Sequence, residues 1–125
     1  MSDKKTKVLI IEDEEMLVNM YISKFTKEGY EATKAENGRI GLEQAKIIKP
    51  DIILLDIMMP EIDGFMVLKN LKSDIATKDI PVIMLTNLGQ EEDIKKGSQL
   101  GATDYLVKAN LTPTQVVEKV KTILK

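Results

Sequence analysis

The chain has 125 residues, enough for one domain with a proper core and too few for a second folded domain beside it. Hydrophobic residues make up 43% and charged residues 30%; two Phe, three Tyr and no Trp leave little for stacking on single-stranded nucleic acid, and a net charge of −2 gives no broad basic field for a phosphate backbone. Lacking Cys and His, the chain carries no disulfide, thiolate chemistry, imidazole metal site, serine triad or phosphohistidine of its own.

Residues 1–6 are polar and are expected to form a flexible tail before one domain over 7–125. No apolar run is long enough to span a bilayer, which predicts a cytoplasmic protein without membrane insertion. Val8-Leu9-Ile10-Ile11 reads as a strand, followed by Glu12 and Asp13 and by a helix whose core stripe is predicted as Leu17, Met20, Tyr21 and Phe25. Glu31 to Ala35 alternates, as suits an edge strand, and Asn37-Gly38 marks a turn into a helix with Leu42, Ala45 and Ile48 on one face, closed by Pro50.

Ile52-Ile53-Leu54-Leu55 and Val82-Ile83-Met84-Leu85 are apolar throughout, like the first run, as expected of central parallel strands covered on both faces. Gly89, Gly97 and the polar stretch from Asn87 to Asp93 predict a weakly held fourth helix. Thr112-Pro113-Thr114-Gln115 offers an N-cap, a proline at the first helical position and a capping-box partner for a last helix with Val116, Val117, Val120, Ile123 and Leu124 inward. Five such alternations give a (βα)₅ pattern and a doubly wound α/β sheet, whose ligands bind beyond the carboxyl ends of the strands.

At those ends stand Glu12 and Asp13, Asp56, Thr86 and Lys108. Singly, each has a plain structural reading: Asp13 as an N-cap, Thr86 as a loop hydroxyl, Lys108 as a solvated charge, Glu14 and Glu15 as helix-dipole acids. Asp56 is harder to set aside, because a carboxylate directly after four aliphatic residues needs a compensating cation or donor. Together, Glu12, Asp13 and Asp56 would make an acidic pocket suited to a hard divalent cation, Mg²⁺ or in its place Mn²⁺. Asp56 would then attack a phosphoryl group whose oxygens are held by the metal, Lys108 and Thr86.

The segments Val8 to Glu14, Asp56-Ile57-Met58-Met59-Pro60-Glu61-Ile62-Asp63-Gly64, Pro81 to Thr86 and Gly101 to Lys108 resemble the response-regulator receiver family, in its stand-alone chemotaxis type, from about Lys7 to Leu124. The resemblance implies a flavodoxin-like three-layer fold with strand order 2-1-3-4-5. It implies Asp56 as phosphoacceptor, Glu12 and Asp13 as the acidic pair, Asp13 and the Met58 backbone carbonyl on Mg²⁺, Thr86 and Lys108 on the phosphoryl group, and Tyr105 as switch aromatic. It also implies a histidine kinase or histidine phosphotransfer protein as donor and a switched face of helix 4, strand 5 and helix 5 for a downstream protein. The chain would modify only itself and would not turn over a separate substrate. A monomer or a weak phosphorylation-dependent dimer is expected, and direct nucleic-acid binding is not. Helix 1, through Met16, Val18 and Ile22, is the expected donor-docking face.

Four positions depart from the family. Ala109 replaces the usual proline after the lysine, and since a non-proline cis bond would cost roughly 2.5–4 kcal/mol, the loop is expected to take another path. Asn87 stands where a small residue is usual and is expected to slow small phosphodonors. Met58 and Leu88 offer no polar group to orient an attacking water, which predicts a slowly hydrolysing phosphoaspartate.

Three rivals remain. A haloacid-dehalogenase-type phosphohydrolase would carry its DxD pair after the first strand, and a flavin carrier would need a Gly- and hydroxyl-rich loop where Glu12-Asp13-Glu14-Glu15 would repel phosphate. The third is a receiver-fold interaction module without phosphorylation, or a receiver excised from a hybrid kinase or larger regulator.

Overall fold

A computed structural model describes residues 5–125. Of the tail expected over 1–6, residues 1–4 lie outside the described residues. Strand β1 (Lys7–Ile11) leads to helix α1 (Glu15–Lys27), β2 (Glu31–Ala35) to α2 (Gly38–Ile48), β3 (Ile52–Leu55) to α3 (Gly64–Ser73), β4 (Val82–Thr86) to α4 (Glu91–Gln99) and β5 (Asp104–Val107) to α5 (Pro113–Leu124). All strand pairs are parallel and the order is β2-β1-β3-β4-β5, the flavodoxin-like order expected.

Side chains alternate along each strand, so the three apolar runs serve two cores at once. Leu9, Ile11, Ile53, Leu55, Val82 and Met84 pack with Ala45 of α2 and with Phe65, Val67, Leu68 and Leu71 of α3. Val8, Ile10, Ile52, Leu54, Ile83 and Leu85 pack on the opposite face with Val18, Tyr21 and Phe25 of α1 and Val116, Val117 and Val120 of α5. Alternating β2 lies at the edge, as its pattern predicts.

Helix ends follow local chemistry. The Asn37 side chain accepts from Ile40 N at 2.8 Å, Asp63 from Met66 N at 3.0 Å, and Thr112 and Gln115 close the expected capping box. The N-cap of α1 is Glu14, without a side-chain bond, so Asp13 is not the cap its plain reading suggested. The α1 stripe is Val18, Tyr21 and Phe25, whereas Met20 is 41% exposed. Met20 lies about 100° around the helix from Tyr21, far enough to leave the core face, and Val18 takes its place. Val18 is therefore core, and of the expected docking trio Met16 stands out fully, at 86% exposure. After β5 the chain makes a single 3₁₀ turn, Lys108–Asn110, and no cis peptide occurs among the described residues.

Candidate functional site

The register of the sheet assembles the site. Ile11 faces Leu55 across β1 and β3, which sets Glu12 beside Asp56 at the carboxyl edge, and Asp56 N donates to the Ile11 carbonyl at 3.0 Å. Thr86 faces Val107 across β4 and β5, so Lys108 enters from the other side. The five residues predicted from the strand ends are thus brought to one edge, with Glu12, Asp56 and Thr86 buried and Asp13 exposed.

Lys108 is the hub. Its Nζ donates to Asp56 Oδ2 at 3.2 Å and also to Glu12 Oε1. The remaining oxygens are committed as well: Ile57 N donates to Asp56 Oδ1 at 2.8 Å and Glu14 N to Glu12 Oε2 at 3.0 Å. Burial pushes the Glu12 carboxyl up to about 7, opposed by the Lys108 and Glu14 hydrogen bonds and reinforced by the charge of Asp56. Burial pulls Lys108 down, but its two carboxylate partners outweigh this and hold it above its ordinary value, so it stays an ammonium.

Carboxylate oxygens of Glu12, Asp13 and Asp56 lie within 4.8 Å of one another. Three hard oxygen donors, one of them open to solvent, fit a divalent cation that keeps part of its water shell. The Ile57 carbonyl is taken by Met59 N and Gly64 N, and among the described residues the Met58 carbonyl accepts no such turn bond, which leaves it available as a further oxygen donor.

Two glycines make close approaches possible. A Cβ on Gly64, at the start of α3, would stand 2.2 Å from the Asp56 carbonyl oxygen, so only glycine allows α3 to begin directly against the peptide of Asp56. A Cβ on Gly97 would meet the Tyr105 ring at 3.1 Å. Tyr105 therefore lies inward over α4 with its hydroxyl donating to the Leu88 carbonyl, and not in water as an isolated strand tyrosine would place it. Burial, with the charges of Asp93 and Asp56, pushes its phenol up to about 12. Leu88 N in turn donates to Thr86 Oγ1 at 3.4 Å, so one residue, Leu88, connects the predicted phosphate contact to the predicted switch aromatic. Sequence reasoning missed this link because both Leu88 groups are backbone. It also missed Tyr21, read only as core, which shares a crevice with Glu12 and Asp56.

The chain resembles known proteins in sequence and in fold. The chain is 41% identical over 102 residues to RpaA of Synechocystis, described as a DNA-binding dual master transcriptional regulator, covering 82% of this chain and 42% of that protein. It is 35% identical over 119 residues to the phosphate regulon transcriptional regulatory protein PhoB of Escherichia coli, covering 95% and 52%. The chain thus spans about half the length of the curated relatives it matches. The structure of the Vibrio cholerae chemotaxis protein CheY4 superposes with a TM-score of 0.89 at 29% identity, covering 95% of this chain and 98% of that one. Among the described residues no helix is long and apolar enough to cross a membrane. A match to the response regulator receiver domain runs over residues 8–121, taking in all five strand ends and the side chains gathered there, and the chain belongs to that family of two-component signalling domains.

Proposed function

We propose that the chain is a phosphoacceptor that takes a phosphoryl group on Asp56 and signals by rearranging the α4–β5–α5 face. The observation that carries this reading is the single ammonium of Lys108 spanning Glu12 and Asp56 at the carboxyl edge of the sheet. A buried acid is held there beside an ammonium on a long side chain, which could follow charge onto a transferred group.

In this reading the donor is the phosphohistidine of a partner kinase or phosphotransfer protein, since the chain contains no His. An Asp56 carboxylate oxygen forms the bond to phosphorus as the phosphorus–nitrogen bond breaks, and the imidazole leaves with the bonding pair. Glu12, Asp13, Asp56 and the Met58 carbonyl would hold Mg²⁺ or Mn²⁺, directly or through water, which when bound supplies neutralisation of the acidic pocket and of the transferred oxygens. Lys108 turns from Asp56 to a phosphoryl oxygen. Thr86 donates its hydroxyl to another, and the drawn Thr86 moves the Leu88 peptide that bears the Tyr105 hydroxyl.

The chain would catalyse only its own phosphorylation and dephosphorylation. Its output would be a protein contact or a weak phosphorylation-dependent dimer, with no direct nucleic-acid contact, in the cytoplasm. RpaA and PhoB are named as transcriptional regulators; the chain covers 42% of the one and 52% of the other.

The test is intact mass after incubation with Mg²⁺ and phosphoramidate, beside Asp56→Asn and metal-free controls. One added phosphate that requires both Asp56 and Mg²⁺ is expected. No phosphate on the wild-type chain, and no beryllofluoride binding, would instead make it a receiver-fold interaction module.

A further inference from the structure

Of the five α-helices, α4 buries the least: Gly97 is its one buried residue, and its N-cap Gln90 makes no side-chain bond. One residue before Gly97, the Lys96 ammonium stands over the Phe65 ring, 4.5 Å from its centroid, within the range of a cation–π contact. Two consecutive residues thus bring α4 against two different neighbours, Lys96 against Phe65 of α3 and Gly97 against Tyr105 of β5.

The Phe65 ring is a fixed partner. It is 8% exposed and packs in the core with Leu55, Val67 and Leu68. It directly follows Gly64, whose N donates to the Ile57 carbonyl at 2.9 Å and where a Cβ would collide with the Asp56 carbonyl oxygen. Lys96 has an alternative by spacing, because Glu92 lies four residues before it in the order that favours a helical ion pair. Among the described residues Lys96 nevertheless enters no ion pair, and its ammonium goes to the ring.

We propose that the Lys96–Phe65 cation–π contact is the tether that seats α4 against α3, which makes Lys96 a positioning residue for the fourth helix. The seating rests on the contact itself. A consequence for signalling rests on the phosphoacceptor reading: when phosphorylation of Asp56 moves α4 while α3 stays pinned at Gly64, a contact that joins the two must yield. The tether then weighs against the switched state, and weakening it favours that state by the factor by which it loosens the resting helix.

Hydrogen exchange of the α4 amides in the full chain tests the seating without phosphorylation, in wild type, Lys96→Arg, Lys96→Met and Lys96→Gln. Lys, Arg, Met and Gln have nearly equal helix propensity, so differences among them report the contact and not the helix. Met and Gln are expected to raise the exchange rates about fivefold, as for loss of one cation–π contact on a ring shielded from water, with Arg close to wild type and the α1 amides unchanged. Rates for Lys96→Met within about twofold of wild type, or Lys96→Arg as fast as Lys96→Met, overturn the tether. In a Phe65→Leu background the difference between Lys96 and Lys96→Met should vanish, and a difference that persists removes Phe65 as the partner.

The second measurement is titration with beryllofluoride in the presence of Mg²⁺, where Lys96→Met is expected to bind about fivefold more tightly than wild type. Equal or weaker binding by a variant whose α4 exchanges faster overturns the link to switching. A wild-type chain that binds no beryllofluoride and takes no phosphate defeats the phosphoacceptor reading and that link with it, and the exchange rates still decide the tether.

Discussion

The two halves of the carboxyl edge are built differently. On the β1–β3 side, Glu12 and Asp56 are buried, every carboxylate oxygen has a partner, and the strands beneath are packed on both faces. On the β4–β5 side, Thr86 and Tyr105 communicate through one residue of a loop, and the helix that follows buries only Gly97. That helix, α4, starts without a side-chain cap, carries Glu91, Glu92 and Asp93 in its first turn, and leaves Ile94 41% exposed. For the proposed function the contrast teaches that chemistry would sit where the fold is stiff and response where few contacts must be broken.

Removing the hub should hurt most. Lys108→Ala leaves Glu12 and Asp56 without their shared cation, and phosphorylation by phosphoramidate should slow on the order of 1000-fold, read by intact mass against time. A fall of less than tenfold would show that the stiff half does not depend on its ammonium.

The next effect is on stability against pH. The Glu12 carboxyl rises from 4.5 to about 7 on folding, so between those values the folded chain binds the extra proton. The sign is therefore negative: stability from this group is present below about pH 4.5 and is lost as pH rises to about 7, by up to about 3 kcal/mol. Thermal unfolding of wild type against Glu12→Gln should diverge across that window, and Mg²⁺ should stabilise wild type more at pH 8 than at pH 5. Parallel profiles for the two proteins would mean that Glu12 titrates normally.

Smaller again is the lifetime of the phosphorylated state. The Met58 side chain is 61% exposed beside Asp56 but cannot orient water, so Met58→Asn should speed dephosphorylation about tenfold. A wild-type lifetime of seconds that Met58→Asn leaves unchanged would remove this explanation. The mildest change tests the compliant half: Gly97→Ala puts a methyl 3.1 Å from the Tyr105 ring and should loosen the ring's docking by about 1 kcal/mol, visible in the Tyr105 ring proton shifts with Asp56 chemistry intact. Unchanged shifts would mean that α4 yields and the ring does not.

Much of this was legible in the sequence, for identifiable reasons. Apolar runs at Val8, Ile52 and Val82 can be satisfied only by burial on both faces, and five chemically matched side chains at strand ends leave few readings. Met20 suits an inward face by its spacing of three from Leu17, whereas the angle between neighbouring residues leaves it outside once Tyr21 is in. The Asp13 cap failed because Glu14 occupies that position. The Leu88 link and the Tyr21 crevice were not legible, since one consists of backbone atoms and the other of a ring whose apolar spacing hides its hydroxyl.

Gly64 has a mechanical consequence. With α3 wedged against the peptide of Asp56, where even a methyl would collide with its carbonyl oxygen, that residue is seated on an anvil. A load applied at its carboxylate finds no give on the β3 side. Under the proposed function the site would work as a pair of jaws, one clamped and one sprung, with a change in charge at the clamped jaw converted into travel at the other.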